Sequence, residues 1–131
     1  MRRHLGGARV GRLATGGLDG QPHVVPVCFA FEGDTIYIAV DGKPKQTRDL
    51  KRLRNIAANP AVALLVDHYE DDWAKLWWVR VDGHARVITD GVESEKAIEL
   101  LAARYEQYRS SRPAGPVVAI AIDRWSGWSG A

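Results

Sequence analysis

The hydrophobic positions of the chain fall into short runs of the kind that form β-strands. These runs are alternating or rich in β-branched and aromatic residues, and glycine-containing turns such as Glu32-Gly33-Asp34 separate them. The predicted strands cover residues 8–14, 22–31, 35–40, 61–66, 73–88 and 117–122. Pro22 and Pro26 lack the backbone N–H that a ladder uses, so we expect the second run at a sheet edge, a bulge or a strand start. Gly83 predicts a bulge within the fifth.

Two segments instead show the 3.6-residue period of a helix. The first is expected from Thr47, a suitable N-cap, to about Ala58, where Asn59 and Pro60 end it. Its face directed away from the core is predicted to carry Arg48, Lys51, Arg52 and Asn55. The second spans residues 94–108. Six strands linked as hairpins, with only two helices, predict a mainly β (α+β) fold: a six-stranded antiparallel barrel rather than a parallel sheet.

Length and composition fit one ordinary globular domain over residues 1–131. The chain has 14.5 kDa of mass, 46% hydrophobic residues and 26% charged residues, which suggests neither disorder nor a fibrous repeat. Cys28 is the one cysteine, so an intramolecular disulfide is excluded and a reducing cytoplasm is favoured. Arg9 and Arg12 interrupt any signal-peptide core, and no apolar run approaches the length of a membrane span.

Positive charge is concentrated in one place. Six of the eighteen Lys and Arg residues lie within residues 43–54, whereas the formal net charge of the whole chain is only +2. Nucleic-acid-binding proteins usually present a broader basic face, so that class is the least favoured. Crowding like charges costs free energy unless an anion binds, and the helix start inside this segment adds backbone N–H groups. We therefore expect a site for a phosphorylated cofactor.

Other kinds of chemistry have no visible machinery in the sequence. No Ser-His-Asp order, Cys-His pairing or P-loop occurs, and the carboxylates of the 67–72 loop are more typical of a solvated loop than of a metal site. No catalytic residue and no metal ligand is therefore assigned. Redox chemistry by an organic cofactor requires only that the protein bind, orient and exclude water.

Three segments, taken in order, resemble a known family. They are A-R-V-G-R-L-A-T at 8–15, G-Q-P-H-V-V-P-V at 20–27 and R-N-I-A-A-N-P-A-V-A-L-L-V at 54–66. Together with the Asp-Asp-Trp loop they are similar to the split β-barrel family related to pyridoxamine-phosphate oxidases, in particular its actinobacterial branch of probable enzymes dependent on coenzyme F420, a deazaflavin. The resemblance covers residues 8–128.

This resemblance implies a homodimer with two cofactor sites at the subunit interface. The cofactor phosphate is expected near the first helix, although which basic residues match the family positions stays open. The candidates are Lys43, Lys45, Arg48, Arg52, Arg54 and the adjacent Asn55. The strand residues expected to line the ring system are His23, Val25, Pro26 and Val27. Of the five tryptophans, whose planar rings suit a flat ligand or an interface, Trp77 is the candidate for ligand contact.

The resulting hypothesis is a cytoplasmic homodimeric oxidoreductase that transfers hydride from reduced F420 to a small organic acceptor whose identity the sequence does not give. An FMN-dependent enzyme of the same fold is the first alternative, because FMN also carries a phosphate. A non-enzymatic flavin- or deazaflavin-binding protein is the second. Neither a membrane nor a nucleic acid is an expected partner.

Overall fold

A computed structural model describes the backbone of residues 1–40 and 47–130 and the side chains of residues 1–40 and 51–130. Seven strands form within these ranges: β1 (Gly11–Gly16), β2 (Pro22–Val27), β3 (Ala30–Glu32), β4 (Thr35–Ala39), β5 (Ala61–His68), β6 (Trp77–Ile88) and β7 (Val117–Ser129). The helices are α1 (Arg2–Gly7), α2 (Thr47–Ala58), α3 (Val92–Arg104) and α4 (Glu106–Ser110), with a 3₁₀ turn at Trp73–Lys75. None of the described helices has the length and apolar character required to cross a bilayer.

All seven strands belong to one antiparallel sheet with the order β2-β1-β5-β6-β7-β4-β3. The two edge strands, β2 and β3, do not pair with each other, yet only Cys28 and Phe29 separate them in the chain. Because three peptide steps span at most about 11 Å, the sheet must curl until its two edges approach. The predicted antiparallel architecture is therefore present, but the expected six strands are seven and the sheet is not closed by hydrogen bonds.

The additional strand comes from a break in the run predicted at 22–31. The chain leaves the ladder at Phe29, whose side chain is fully buried, and both edge strands end there. The helix predicted at 94–108 also breaks, at Tyr105, whose φ of −123° and ψ of 120° are extended. The Tyr105 hydroxyl accepts the backbone N–H of Phe29 at 3.1 Å and lies 2.9 Å from the Phe29 carbonyl. One side chain thus pairs the backbone that the split leaves outside the sheet.

The sheet is buried on both faces where α3 covers it. Ile36 and Ile38 of β4 belong to the core inside the curled sheet, whereas Tyr37 between them is buried in a cluster with Ala97 of α3. This strand therefore reads as a continuous apolar run rather than as an alternation. Helix α3 is also tied down by Glu93, which accepts hydrogen bonds from Tyr37 Oη at 2.9 Å and from Arg86 at 2.7 Å. Those two bonds, the Arg86 bond first, lower the pKa of the Glu93 carboxyl.

The remaining elements close the ends of the sheet. Helix α1, which the hydrophobic pattern does not predict, places Leu5 fully buried in the core. Strands β6 and β7 pair along nearly their full length, so β7 continues past residue 122 to Ser129. The register does shift between Asp82 and Gly83, but the unpaired extra residue is Asp123 of β7, so the bulge lies in the partner strand opposite Gly83 rather than in β6 as predicted. Gly83 is needed there for close approach, because a Cβ on it would lie 2.4 Å from the Ala121 carbonyl oxygen.

Candidate functional site

A cleft of about 460 Å³ lies between the β1–β2 turn and helix α2. Its described lining residues are Gly17, Leu18, Asp19, Lys51, Arg54, Asn55 and Ala58. The turn forms one wall and α2 the other, so the cleft brings together two segments more than thirty residues apart in the chain. It joins part of the basic segment to the β-hairpin that precedes it.

The helix wall carries the positive charge of the cleft. Lys51, Arg54, Asn55 and Ala58 are spaced by three or four residues, so they share one face of α2. The residues Lys51 and Arg54 are both exposed, which leaves their charged groups able to meet a ligand. A planar guanidinium and an ammonium a turn apart suit an anion with several oxygen atoms, such as a phosphate.

The turn wall is short and contains one acidic group. Asp19 Oδ1 accepts the backbone N–H of Gln21 at 3.0 Å, so this carboxylate helps to form the turn. Leu18 at the tip is 91% exposed and offers an apolar surface beside the cations. The cleft can therefore receive an anionic group attached to an apolar body.

A buried hydrogen bond links the two walls. Asn55 and Thr15 are 8% and 5% exposed, and Asn55 Nδ2 donates to Thr15 Oγ1 at 3.2 Å. The opposite end of the same amide, Oδ1, lies 2.8 Å from the position that a Cβ on Gly17 would take. Asn55 is thus in contact with both the strand and the turn.

The two arginines of α2 differ from the expected arrangement. Arg52 was expected to point outward, but it is only 7% exposed and lies on the side of the helix that carries the core residue Ile56. Arg54 is exposed and lines the cleft. Asn55, also expected outward, is buried. Lys43 and Lys45 lie outside the described residues, and so does the side chain of Arg48, whose backbone belongs to α2.

Strand β2 directs its candidate residues to opposite sides. His23, Val25 and Val27 are the more buried ones, with Val27 in the core, whereas Pro26 is exposed on the other face. His23 is directly opposite Thr15 in the β1–β2 pairing. Within the described part of the chain, the buried Nδ1 atom of His23 has no hydrogen-bond partner. A buried polar atom of this kind is suited to a bound group that supplies the missing hydrogen bond.

Trp77 lies far from the cleft in the same chain. It pairs with His68 at the end of β5, seven residues from Ala61, which is about 23 Å along the strand. Its ring stacks on His4, with 4.0 Å between the ring centroids and an interplanar angle of 14°. Within one chain, Trp77 and the α2 cations are therefore separated by most of the length of the sheet.

Other reactive groups of the described residues are not arranged as a catalytic centre. No group of three His, Cys, Asp or Glu residues suited to hold a metal ion occurs among residues 1–40 and 51–130. Burial raises the pKa of the Cys28 thiol, with Arg9 and Arg104 acting in the opposite direction, so the thiolate needed for nucleophilic chemistry is disfavoured.

Sequence reasoning missed six residues of this site: Thr15, Gly17, Leu18, Asp19, Lys51 and Ala58. Lys51 precedes Asn55 by one helical turn, so the helical spacing could have predicted that the two residues lie side by side. The contacts of Thr15 and Gly17 with Asn55 of α2 join residues 40 and 38 positions apart, and no local pattern signals such a pairing.

Comparisons with known proteins identify a family over nearly the whole chain and a relative over part of it. Residues 1–129 match the sequence profile of the pyridoxamine 5′-phosphate oxidase family. A 5a,11a-dehydrotetracycline/5a,11a-dehydrooxytetracycline reductase of Streptomyces rimosus is 40% identical over 57 residues, a match that spans 44% of this chain and only 39% of the length of that relative.

Solved structures share the fold over nearly the full length. An F420 reductase has a TM-score of 0.71 and 25% identity, with 95% of this chain and 94% of that one covered. A FAD-binding protein from Mesorhizobium loti has a TM-score of 0.74 and 25% identity, with 96% and 89% covered. Haem-binding proteins also share the fold, at identities below 25%, and that likeness shows the fold alone.

Proposed function

The chain belongs to the pyridoxamine 5′-phosphate oxidase family, and from this premise we propose that it is an oxidoreductase that transfers hydride from reduced coenzyme F420 to a small organic acceptor. The observation that carries the proposal is the cleft beside α2, where Lys51 and Arg54 face a turn that could admit an anionic group. The reductase from Streptomyces rimosus and the F420 reductase of similar fold support the choice of reaction. The FAD-binding neighbour supports the alternative of an ordinary flavin, FMN among them.

The residues present fit a phosphorylated, ring-bearing cofactor. Cations on one face of α2 suit its phosphate, and the buried Nδ1 of His23 lacks a described partner that a bound ring or ribityl chain would supply. When bound, a reduced deazaflavin supplies the hydride. The contributions of the chain are to bind the phosphate through Lys51 and Arg54 and to position the ring at β2, where Val25 is only partly buried, whereas Val27 packs in the core.

We expect F420 to bind about tenfold more tightly than FMN, a difference of about 1.4 kcal/mol. F420 carries an acidic tail beyond its phosphate, and exposed ion pairs contribute up to about 1 kcal/mol each. Fluorescence titration of the purified protein with F420, FMN and FAD measures this difference. Equal affinities, or binding of a flavin alone, would overturn the assignment of F420.

Turnover separates an enzyme from a carrier. The absorbance of reduced F420 should fall when the protein and a suitable acceptor are mixed, and 5a,11a-dehydrotetracycline is one acceptor to include because a relative is named for its reduction. Tight F420 binding without oxidation of the cofactor by any member of a broad acceptor panel would favour a non-enzymatic binding protein.

We also propose that the protein is a homodimer. The end of the sheet near Trp77 exposes large aromatic side chains: Trp128 is 50% exposed, Trp73 is 66% exposed and Tyr69 is 67% exposed. Exposed aromatic clusters of this kind usually mark an interface. A dimer would also supply a second chain to a cofactor site in which Trp77 and the α2 cations of one chain are too far apart to meet. Sedimentation should give twice the mass of 14.5 kDa; a monomer at micromolar concentration would contradict the proposal.

A further inference from the structure

The side chain of Asn55 is hydrogen-bonded to the β1–β2 hairpin at one end of its amide and lies close to the hairpin at the other. The nitrogen donates to Thr15 Oγ1 at 3.2 Å, inside the protein. The oxygen is directed at Gly17, where an added Cβ would lie 2.8 Å away, closer than real Cβ contacts occur. Any larger residue at position 17 would displace the amide or the turn, so Gly17 is needed here for close approach rather than for its backbone angles.

The contacts of Asn55 with Thr15 and Gly17 lie next to the cations of the cleft. Asn55 follows Arg54 in the chain and lies one helical turn after Lys51, and all three residues line the cleft. The opposite wall is the turn that begins at Gly17. Asn55 belongs to the helix wall and contacts the hairpin wall, so its position affects the distance between α2 and the β1–β2 turn.

We propose that Thr15 and Gly17 are positioning residues for the anion cleft: by fixing Asn55 they hold the α2 face that carries Lys51 and Arg54 at the separation an anion requires. Asn55 then acts by placing the helix, since its amide nitrogen is bonded to Thr15 of the hairpin. The inference rests on the proposed function only in identifying the anion with the cofactor phosphate.

The test compares three variants of the full chain with wild type. Thr15→Val keeps the shape of the side chain but removes the oxygen that accepts the Asn55 bond, whereas Thr15→Ser keeps that oxygen. Gly17→Ala leaves Thr15 intact and pushes the amide from its other end. Calorimetric titration with inorganic pyrophosphate and with F420, well below the unfolding temperature of each variant, provides the readout.

We expect Thr15→Val and Gly17→Ala to weaken pyrophosphate binding about tenfold, and Thr15→Ser to restore wild-type affinity within about twofold. A purely structural role would lower the unfolding temperature of the first two variants and leave their pyrophosphate affinity unchanged, which would overturn the inference. Loss of binding in Thr15→Ser as severe as in Thr15→Val would also overturn it. If Thr15→Val fails to fold, Gly17→Ala decides alone.

The two proposals fail in different ways. If wild type binds pyrophosphate but not F420, and Thr15→Val weakens the pyrophosphate, the positioning role stands and the cofactor assignment falls. If wild type binds F420 and neither Thr15→Val nor Gly17→Ala changes its affinity, the cofactor assignment stands and the positioning role falls. Absence of any anion binding by wild type would overturn the positioning role as well.

Discussion

Replacing Arg54 with alanine is expected to weaken cofactor binding tenfold to a hundredfold, or roughly 1.5 to 3 kcal/mol, the range of a hydrogen bond to a charged group. The guanidinium is exposed and lines the cleft, so the loss should fall on ligand affinity and leave the fold intact. Titration with F420 measures the affinity, and thermal unfolding without ligand checks the fold. Lys51→Ala should act in the same direction but more weakly, because an ammonium does not offer the paired donors of a guanidinium.

Arg124→Ala is the matched control, because it removes the same charged group from an exposed side chain of β7, outside the cleft. If this variant weakens binding as much as Arg54→Ala, and high salt abolishes both effects, the interaction is a general field rather than a site. Arg52→Ala is expected to differ from Arg54→Ala in what it changes. Arg52 is only 7% exposed and is not among the described residues that line the cleft, so its loss is expected to lower stability.

Helix α2 shows what a local pattern can and cannot predict. Its bounds, Thr47–Ala58, agree with the prediction, since Asn59 and Pro60 end a helix whatever surrounds it. The buried face does not agree. Arg52 and Asn55 were both expected on the outward face, but they are only 7% and 8% exposed, and Ile56 beside them is 3% exposed. The period identifies the helix as amphipathic but does not say which polar residues at the border of its apolar face turn inward, and Asn55 is buried where it bonds Thr15 of the distant hairpin.

The two elements predicted as continuous, at 22–31 and 94–108, break at residues that contact each other. Phe29 interrupts the strand run and Tyr105 interrupts the helix run, and the Tyr105 hydroxyl pairs the Phe29 backbone. Each residue suits the element predicted for it, since phenylalanine favours strands and the helix period continues through Tyr105. Both breaks instead coincide with one tertiary contact, in which the backbone beside the fully buried Phe29 ring bonds the hydroxyl of a residue 76 positions away. A single sequence carries no local signal for that contact.

Removal of the Tyr105 hydroxyl from this contact is expected to cause a large loss of folding stability. Removing the hydroxyl by Tyr105→Phe leaves the buried N–H of Phe29 unpaired, together with whichever carbonyl receives the single hydroxyl proton, that of Phe29 at 2.9 Å or that of Arg9 at 3.0 Å. Because each unsatisfied buried group costs roughly 1–3 kcal/mol, we expect the free energy of unfolding to fall by about 2–4 kcal/mol. Urea denaturation followed by tryptophan fluorescence measures the change.

Tyr69→Phe provides the matched control, since Tyr69 is 67% exposed and should lose little when its hydroxyl is removed. The form of the curve is also informative. If the Tyr105 hydroxyl ties the two sheet edges and the two helix segments into one unit, Tyr105→Phe should lower the urea midpoint and leave the slope of the transition unchanged. A shallower slope would mean that the edges at Phe29 open separately from the rest of the sheet. An unchanged midpoint would mean that water replaces the hydroxyl at the Phe29 backbone, and that the split is stabilised by burial of the Phe29 ring rather than by this side chain.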